Sequence, residues 1–145
     1  LIGSPTTPEI EEQFRLLSQK WKNSPQVVIH LNYDEKLAHL TYAASDLIVI
    51  PSSFEPCGLT QMIALNYGTL PLVHKTGGLA DTVFEDENGF VFSHLEEQEI
   101  TCCLKKALFT YTQEPKKWKK MVKKGMKQDF SWKNSFQEYL KTYKT

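Results

Sequence analysis

"DLIVIPSSFEPCGLTQMIALNYGTLPLVHKTGGLADTV", residues 46–83, alternates short apolar runs with helical segments. "LIVI" (47–50) is apolar on both faces, as a central strand of a parallel sheet must be. A helix is expected from about residue 60 to 67, stopped by Gly68. "LPLV" (70–73) reads as a second strand, and "TGGLADTV" (76–83) turns into a brief helix. Strands and helices alternating at this spacing predict a parallel sheet covered on both sides. In such sheets ligands bind beyond the carboxyl ends of the strands. Glu55, inside "FEPCGLTQ", follows the carboxyl end of "LIVI". A carboxylate set there between proline, cysteine and glycine is placed for a ligand.

The flanks extend the same pattern. "LIG" at the start reads as the tail of a strand. In "TPEIEEQFRLLSQKW", Thr7 suits an N-cap, Pro8 the first turn, and Glu9, Glu11 and Glu12 its positive end. Ile10, Phe14, Leu17 and Trp21 fall on one face of that helix. "VVIHL" (27–31) is β-branched and is expected as a strand. Asp34 then caps a helix through "EKLAHLTYAA". Downstream, "GFVF" (89–92) is the last strand, followed by helices at about 96–112, 115–125 and 132–143. In the second of these, Trp118, Met121, Val122 and Met126 share a face. The fold class is therefore α/β, a Rossmann-like parallel sheet with helices on both faces.

The chain has 145 residues, enough for one domain (1–145) with a real core, and its formal net charge is zero. The charges are unevenly spread: from Lys105 onward there are twelve lysines against three acids. A solvated lysine face on the C-terminal helices explains this. Nucleic-acid binding would need exposed aromatics among the lysines, and here they are expected inside, so no nucleic-acid partner is assigned. No run reaches membrane-spanning length, so no membrane partner is assigned either. Three cysteines, two of them adjacent (Cys102 and Cys103), suit a reducing compartment.

Gly58, Leu59 and Thr60 lead into a helix whose first amides lack intrahelical partners, which makes a phosphate site. The Thr60 hydroxyl either joins that site or caps the helix. Thr76, Gly77 and Gly78 open a second helix at the same rim. Tyr33, just past "VVIHL", is either a ring that stacks on a base or a packing tyrosine. His30, His39, His74 and His94 lack metal-ligand spacing. Cys57 has no evident base partner and reads as a small pocket-lining side chain.

These residues resemble the signature of bacterial glycogen synthases and plant starch synthases, which are retaining glucosyltransferases of the two-Rossmann-domain (GT-B) type. The resemblance runs from residue 51 to 83, through "NGFVF" (88–92), to "DFSW" (129–132). It implies that the chain is the C-terminal nucleotide-sugar-binding domain. A missing N-terminal Rossmann domain would be its partner, without which it is folded but inactive. It also implies ADP-glucose as donor, an α-1,4-glucan as acceptor, no metal or other cofactor, and a bacterial cytoplasm or a plastid as location. By resemblance, Glu55 is the catalytic acid at the donor glucose, and Cys57 and Gly58 line the sugar pocket. Leu59 and Thr60 receive the phosphates, with Gly77 and Gly78 at the second turn, and Tyr33 stacks on adenine. Three positions depart from related patterns. Ile63 stands where other sugar transferases carry a ribose-binding glutamate, and Ser53 and His74 stand where many synthases have arginine. A UDP-sugar transferase and a non-catalytic nucleotide-sugar-binding or scaffolding domain are the alternatives.

Overall fold

In the computed structural model, which describes residues 1–5 and 7–143, Thr7 and Pro8 open the first helix. Helix α1 spans Pro8–Lys20, and the Thr7 hydroxyl accepts from the Ile10 amide at 3.4 Å. Its apolar stripe stays partly open, with Ile10 at 38%, Leu17 at 39% and Trp21 at 42% exposure. Helix α2, Glu35–Ala44, is capped by Asp34, whose Oδ1 accepts from the Leu37 amide at 2.9 Å. Residues 27–31 do not form the expected strand. His30 makes an isolated parallel bridge to Ile2: its amide donates to the Leu1 carbonyl at 2.9 Å, and its carbonyl accepts from Gly3 at 3.1 Å. Strand propensity is realised only on a ladder, and "LIG" offers a single rung, so β-branched Val28 stands 72% exposed.

The chain divides into two units, Leu1–Thr41 with α1 and most of α2, and Tyr42–Thr145 with the end of α2 and the later elements. The second unit contains β1 (Leu47–Ile50), α3 (Thr60–Tyr67), β2 (Leu70–His74), α4 (Gly77–Thr82) and β3 (Phe90–Phe92). Helices α5 (Glu97–Gln113), α6 (Pro115–Gly125) and α7 (Trp132–Tyr143) follow. The strands pair in parallel in the order β1-β2-β3, with Leu47 opposite Leu70 and Leu72 opposite Phe90. Alternate residues of β2 go to opposite faces. Leu70 and Leu72 join Phe90, Phe92, Cys103, Ala107, Trp118 and Met121 on one side, while Val73 joins Ile50, Leu79 and Val83 on the other. Phe90 meets the Trp118 ring at 6.0 Å, and Tyr111 approaches it edge-on at 5.0 Å. The sheet is covered on both sides.

Two further details differ from the sequence expectation. β2, not β1, is the central strand of this unit, and Val49 of β1 is 40% exposed. An apolar run reports what lies above and below a strand, not which strands flank it. Met126 is the C-cap of α6 and is 51% exposed, because the chain leaves the buried face there.

Three of the C-terminal lysines hold the turn before β3. Lys106 pairs with Glu85 and, at 2.8 Å, with Asp86; Lys117 reaches Asp86 at 2.8 Å, and Lys124 reaches Glu87 at 2.5 Å. Burial acts to raise the Asp86 carboxyl pKa, but hydrogen bonds from Lys106 and Lys117 outweigh it and hold it below the ordinary value. With the folded value depressed, the unfolded chain binds this proton more tightly. The stabilisation is full above the ordinary aspartate range and is lost as pH falls through the lowered value. Asp86→Asn is therefore expected to lower the neutral-pH melting temperature and to flatten its decline below about pH 4. Parallel melting curves against pH for both proteins would count against the lysine cluster.

Candidate functional site

Because β1, β2 and β3 are parallel, their carboxyl ends lie along one rim, and residues 51–59 leave that rim to reach α3. Glu55 sits in this loop, half-buried, and its carboxylate bonds to no protein group among the described residues. Its main-chain carbonyl is held, accepting from the Gly78 amide at 3.0 Å. Cys57 is exposed, as are the Phe54 ring (76%) and the Leu59 side chain (66%). Gly58 is buried with φ +75°, in the left-handed region that favours glycine.

The two glycines of "TGG" carry the close approach. A Cβ on Gly77 would lie 2.0 Å from the Glu55 carbonyl oxygen, and one on Gly78 would lie 1.9 Å from that of Cys57. The start of α4 is thus pressed main chain to main chain against the Glu55 loop. The Gly78 amide, expected from the sequence to face an anion, is spent on this contact.

At the start of α3, Leu59 is the N-cap and no side chain caps the helix, so Thr60 does not serve as a cap. The first i−4 bond runs from the Ile63 amide to the Leu59 carbonyl at 2.9 Å. The amides of Thr60, Gln61 and Met62 precede it and have no intrahelical acceptor. Together with the helix dipole they form an electropositive corner beside Glu55 in the chain.

Gln61 escaped the sequence reading as a functional residue. It is 0% exposed, and its Nε2 donates to the carbonyls of Gly58 at 2.8 Å and Cys57 at 3.2 Å and to the Thr82 hydroxyl at 3.1 Å. The available signal was a long polar side chain three residues after a glycine, inside an otherwise apolar helix. By the resemblance, His74 stands where many synthases have arginine. Its ring lies between two carbonyls, with Nδ1 2.8 Å from Ser52 O and Nε2 3.3 Å from Ser93 O, and stacks on Phe92 at 5.5 Å. It ties the loop after β1 to the loop after β3.

The structure thus brings together Glu55, Cys57, Gly58, Leu59, Thr60, Gly77 and Gly78, all in the second unit. Tyr33 belongs to the first unit, where its ring is 76% exposed. All three cysteines are free; Cys103 is in the core, and burial, with Glu85 nearby, pushes its thiol up to about 11. Among the described residues, no three His, Cys, Asp or Glu side chains are grouped to hold a metal, and no helix is long and apolar enough to cross a membrane.

The sequence matches the family described as "Glycosyl transferases group 1" over residues 1–128. It is 43% identical, over 152 aligned residues, to a glycogen synthase of Protochlamydia amoebophila, covering 99% of this chain and 30% of that protein. It is 44% identical to a probable chloroplastic/amyloplastic starch synthase 4 of Arabidopsis thaliana, covering 99% of this chain and 15% of that protein. The structure superposes with a TM-score of 0.88 on the catalytic domain of starch synthase IV from Arabidopsis thaliana bound to ADP and acarbose. That match covers 98% of this chain and 30% of the other, at 44% identity. The chain therefore spans 30% or less of the length of these relatives.

Proposed function

The chain belongs to the group 1 glycosyl transferases, and from that premise we propose that it is the C-terminal, donor-binding domain of a glycogen or starch synthase. The reaction is transfer of glucose from ADP-glucose to the non-reducing end of an α-1,4-glucan, with retention. The observation that carries this is the match, over nearly the whole chain, to a starch synthase solved with ADP and acarbose. The loop at the strand ends supports it independently, because it joins a carboxylate with no partner among the described residues to a helix N-terminus whose first amides lack intrahelical acceptors.

Each residue then has a task. The free amides at the start of α3, with the Thr60 hydroxyl, take up negative charge on the departing diphosphate. At the second turn an anion contact falls to Gly77, since the Gly78 amide is engaged. Cys57 and Gly58 line the sugar pocket. The Glu55 carboxylate faces the glucose, where it stabilises positive charge at the anomeric carbon or holds a hydroxyl. A double displacement needs a second carboxyl as acid across the sugar, and the loop contains only Glu55. We therefore favour same-face transfer. The bond from the anomeric carbon to phosphate oxygen breaks, the bond to the acceptor oxygen forms, and the acceptor's proton passes to the leaving phosphate. The acceptor would be held by an N-terminal Rossmann domain, in bacterial cytoplasm or in a plastid.

The test is incorporation of labelled glucose into glycogen by the complete polypeptide, with ADP-glucose and UDP-glucose compared. Preference for ADP-glucose by about tenfold or more is expected. Equal or better use of UDP-glucose overturns the donor, and ADP binding without transfer overturns the enzymatic role in favour of a binding domain.

A further inference from the structure

Gln61 is a costly choice for a core position. It is fully buried in α3, and its Oε1 has no hydrogen-bond partner among the described residues. An unsatisfied buried acceptor is destabilising, and an apolar side chain of similar size would fill the space without it. What the glutamine supplies is its amide. Nε2 holds the Gly58 and Cys57 carbonyls on one side and the Thr82 hydroxyl on the other. The Thr82 hydroxyl in turn donates to the Gly78 carbonyl at 2.6 Å, and the Gly78 amide donates to the Glu55 carbonyl. The bonds therefore run from Gly58 through Gln61, Thr82 and Gly78 back to Glu55, and both ends of the loop are pinned.

The far post is itself fixed. The Thr82 carbonyl accepts from Asn88 Nδ2 at 2.8 Å, and Asn88, which is 1% exposed, also donates to Gln128 at 2.7 Å. Gly58 completes the fit, because a Cβ there would lie 2.4 Å from Gln61 Oε1.

We propose that Gln61 and Thr82 are positioning residues, a polar clamp that sets the Glu55–Gly58 loop relative to α3 and so places the Glu55 carboxylate for glucosyl transfer. The proposal rests on the donor-site role of that loop given above. It predicts a loss of turnover beyond any loss of stability, because the bonds end on the loop that carries Glu55.

The experiment uses the complete polypeptide with Gln61→Met, Thr82→Val, Thr82→Ser and the Gln61→Met/Thr82→Val double variant. Gln61→Met and Thr82→Val should each lower kcat by about 10- to 100-fold, the cost of a displacement near 1 Å. Free-ADP affinity should change far less. Thr82→Ser, which keeps the hydroxyl, should restore kcat, and the double variant should be no worse than the poorer single, because the bonds act in series. Hydrogen exchange at the Gly78 amide should speed up in Gln61→Met and Thr82→Val but not in Thr82→Ser. This readout needs no catalysis. Kcat within about twofold of wild type after correction for folded fraction, equal damage from Thr82→Ser and Thr82→Val, or unchanged Gly78 exchange overturns the clamp. If the unmodified protein transfers no glucose while exchange responds as expected, the donor-site role falls and the loop clamp stands.

Discussion

Glu55→Gln in the complete polypeptide is expected to lower turnover by about two orders of magnitude or more, the usual consequence of losing one preorganised electrostatic group. Glutamine keeps the shape of the side chain and removes its charge. Folding should be untouched, because the loop is latched through the Glu55 main-chain carbonyl while the carboxylate bonds to no protein group among the described residues. Affinity for free ADP should also be unchanged, since the nucleotide phosphates are assigned to the start of α3. Steady-state kinetics, ADP titration and a melting curve on one preparation separate these outcomes. Near-normal turnover removes Glu55 from the chemistry, and lost ADP binding moves it to the wrong part of the donor.

Gly78→Ala is expected to be nearly as harmful for a different reason. Its methyl would lie 1.9 Å from the Cys57 carbonyl oxygen, 2.5 Å from the carbonyl carbon and 2.7 Å from the Cα. All three are main-chain atoms, so no rotamer change relieves the clash, and the loop or α4 must shift. A shift near 1 Å costs roughly a hundredfold in rate, and overpacking adds about 1–3 kcal/mol of destabilisation. Gly3→Ala is the control, since a Cβ there meets nothing within 4 Å. Turnover of Gly78→Ala within threefold or so of the control would show that this contact does not set the loop.

Much of this was legible from local chemistry. Thr7 with Pro8, Asp34 and Gly68 each mark a helix end by a bond or a dihedral that the residue itself supplies, and the structure has helix ends at each. The position of Glu55 followed from strand order, because a parallel sheet puts every carboxyl end on one rim. What depended on distant partners was not legible. β1 carried the apolar run of a central strand, yet the pairing made β2 central. Residues 27–31 had strand composition without a ladder to join. The functions of Gln61 and His74 depended on carbonyls whose positions only folding defines. Gly77 and Gly78 were located correctly as a helix start, but the Gly78 amide turned inward to Glu55.

The latch between α4 and the Glu55 loop has a practical meaning for redesign. It joins main chain to main chain, so it does not depend on the side chains the loop displays. Phe54, Cys57 and Leu59 all project into solvent from a backbone held by other residues. A library that varies these three positions while keeping Gly58, Gln61, Gly77, Gly78 and Thr82 constant would sample new loop surfaces on an unmoved scaffold. The chain thus separates the residues that fix the loop's shape from those the loop displays to solvent.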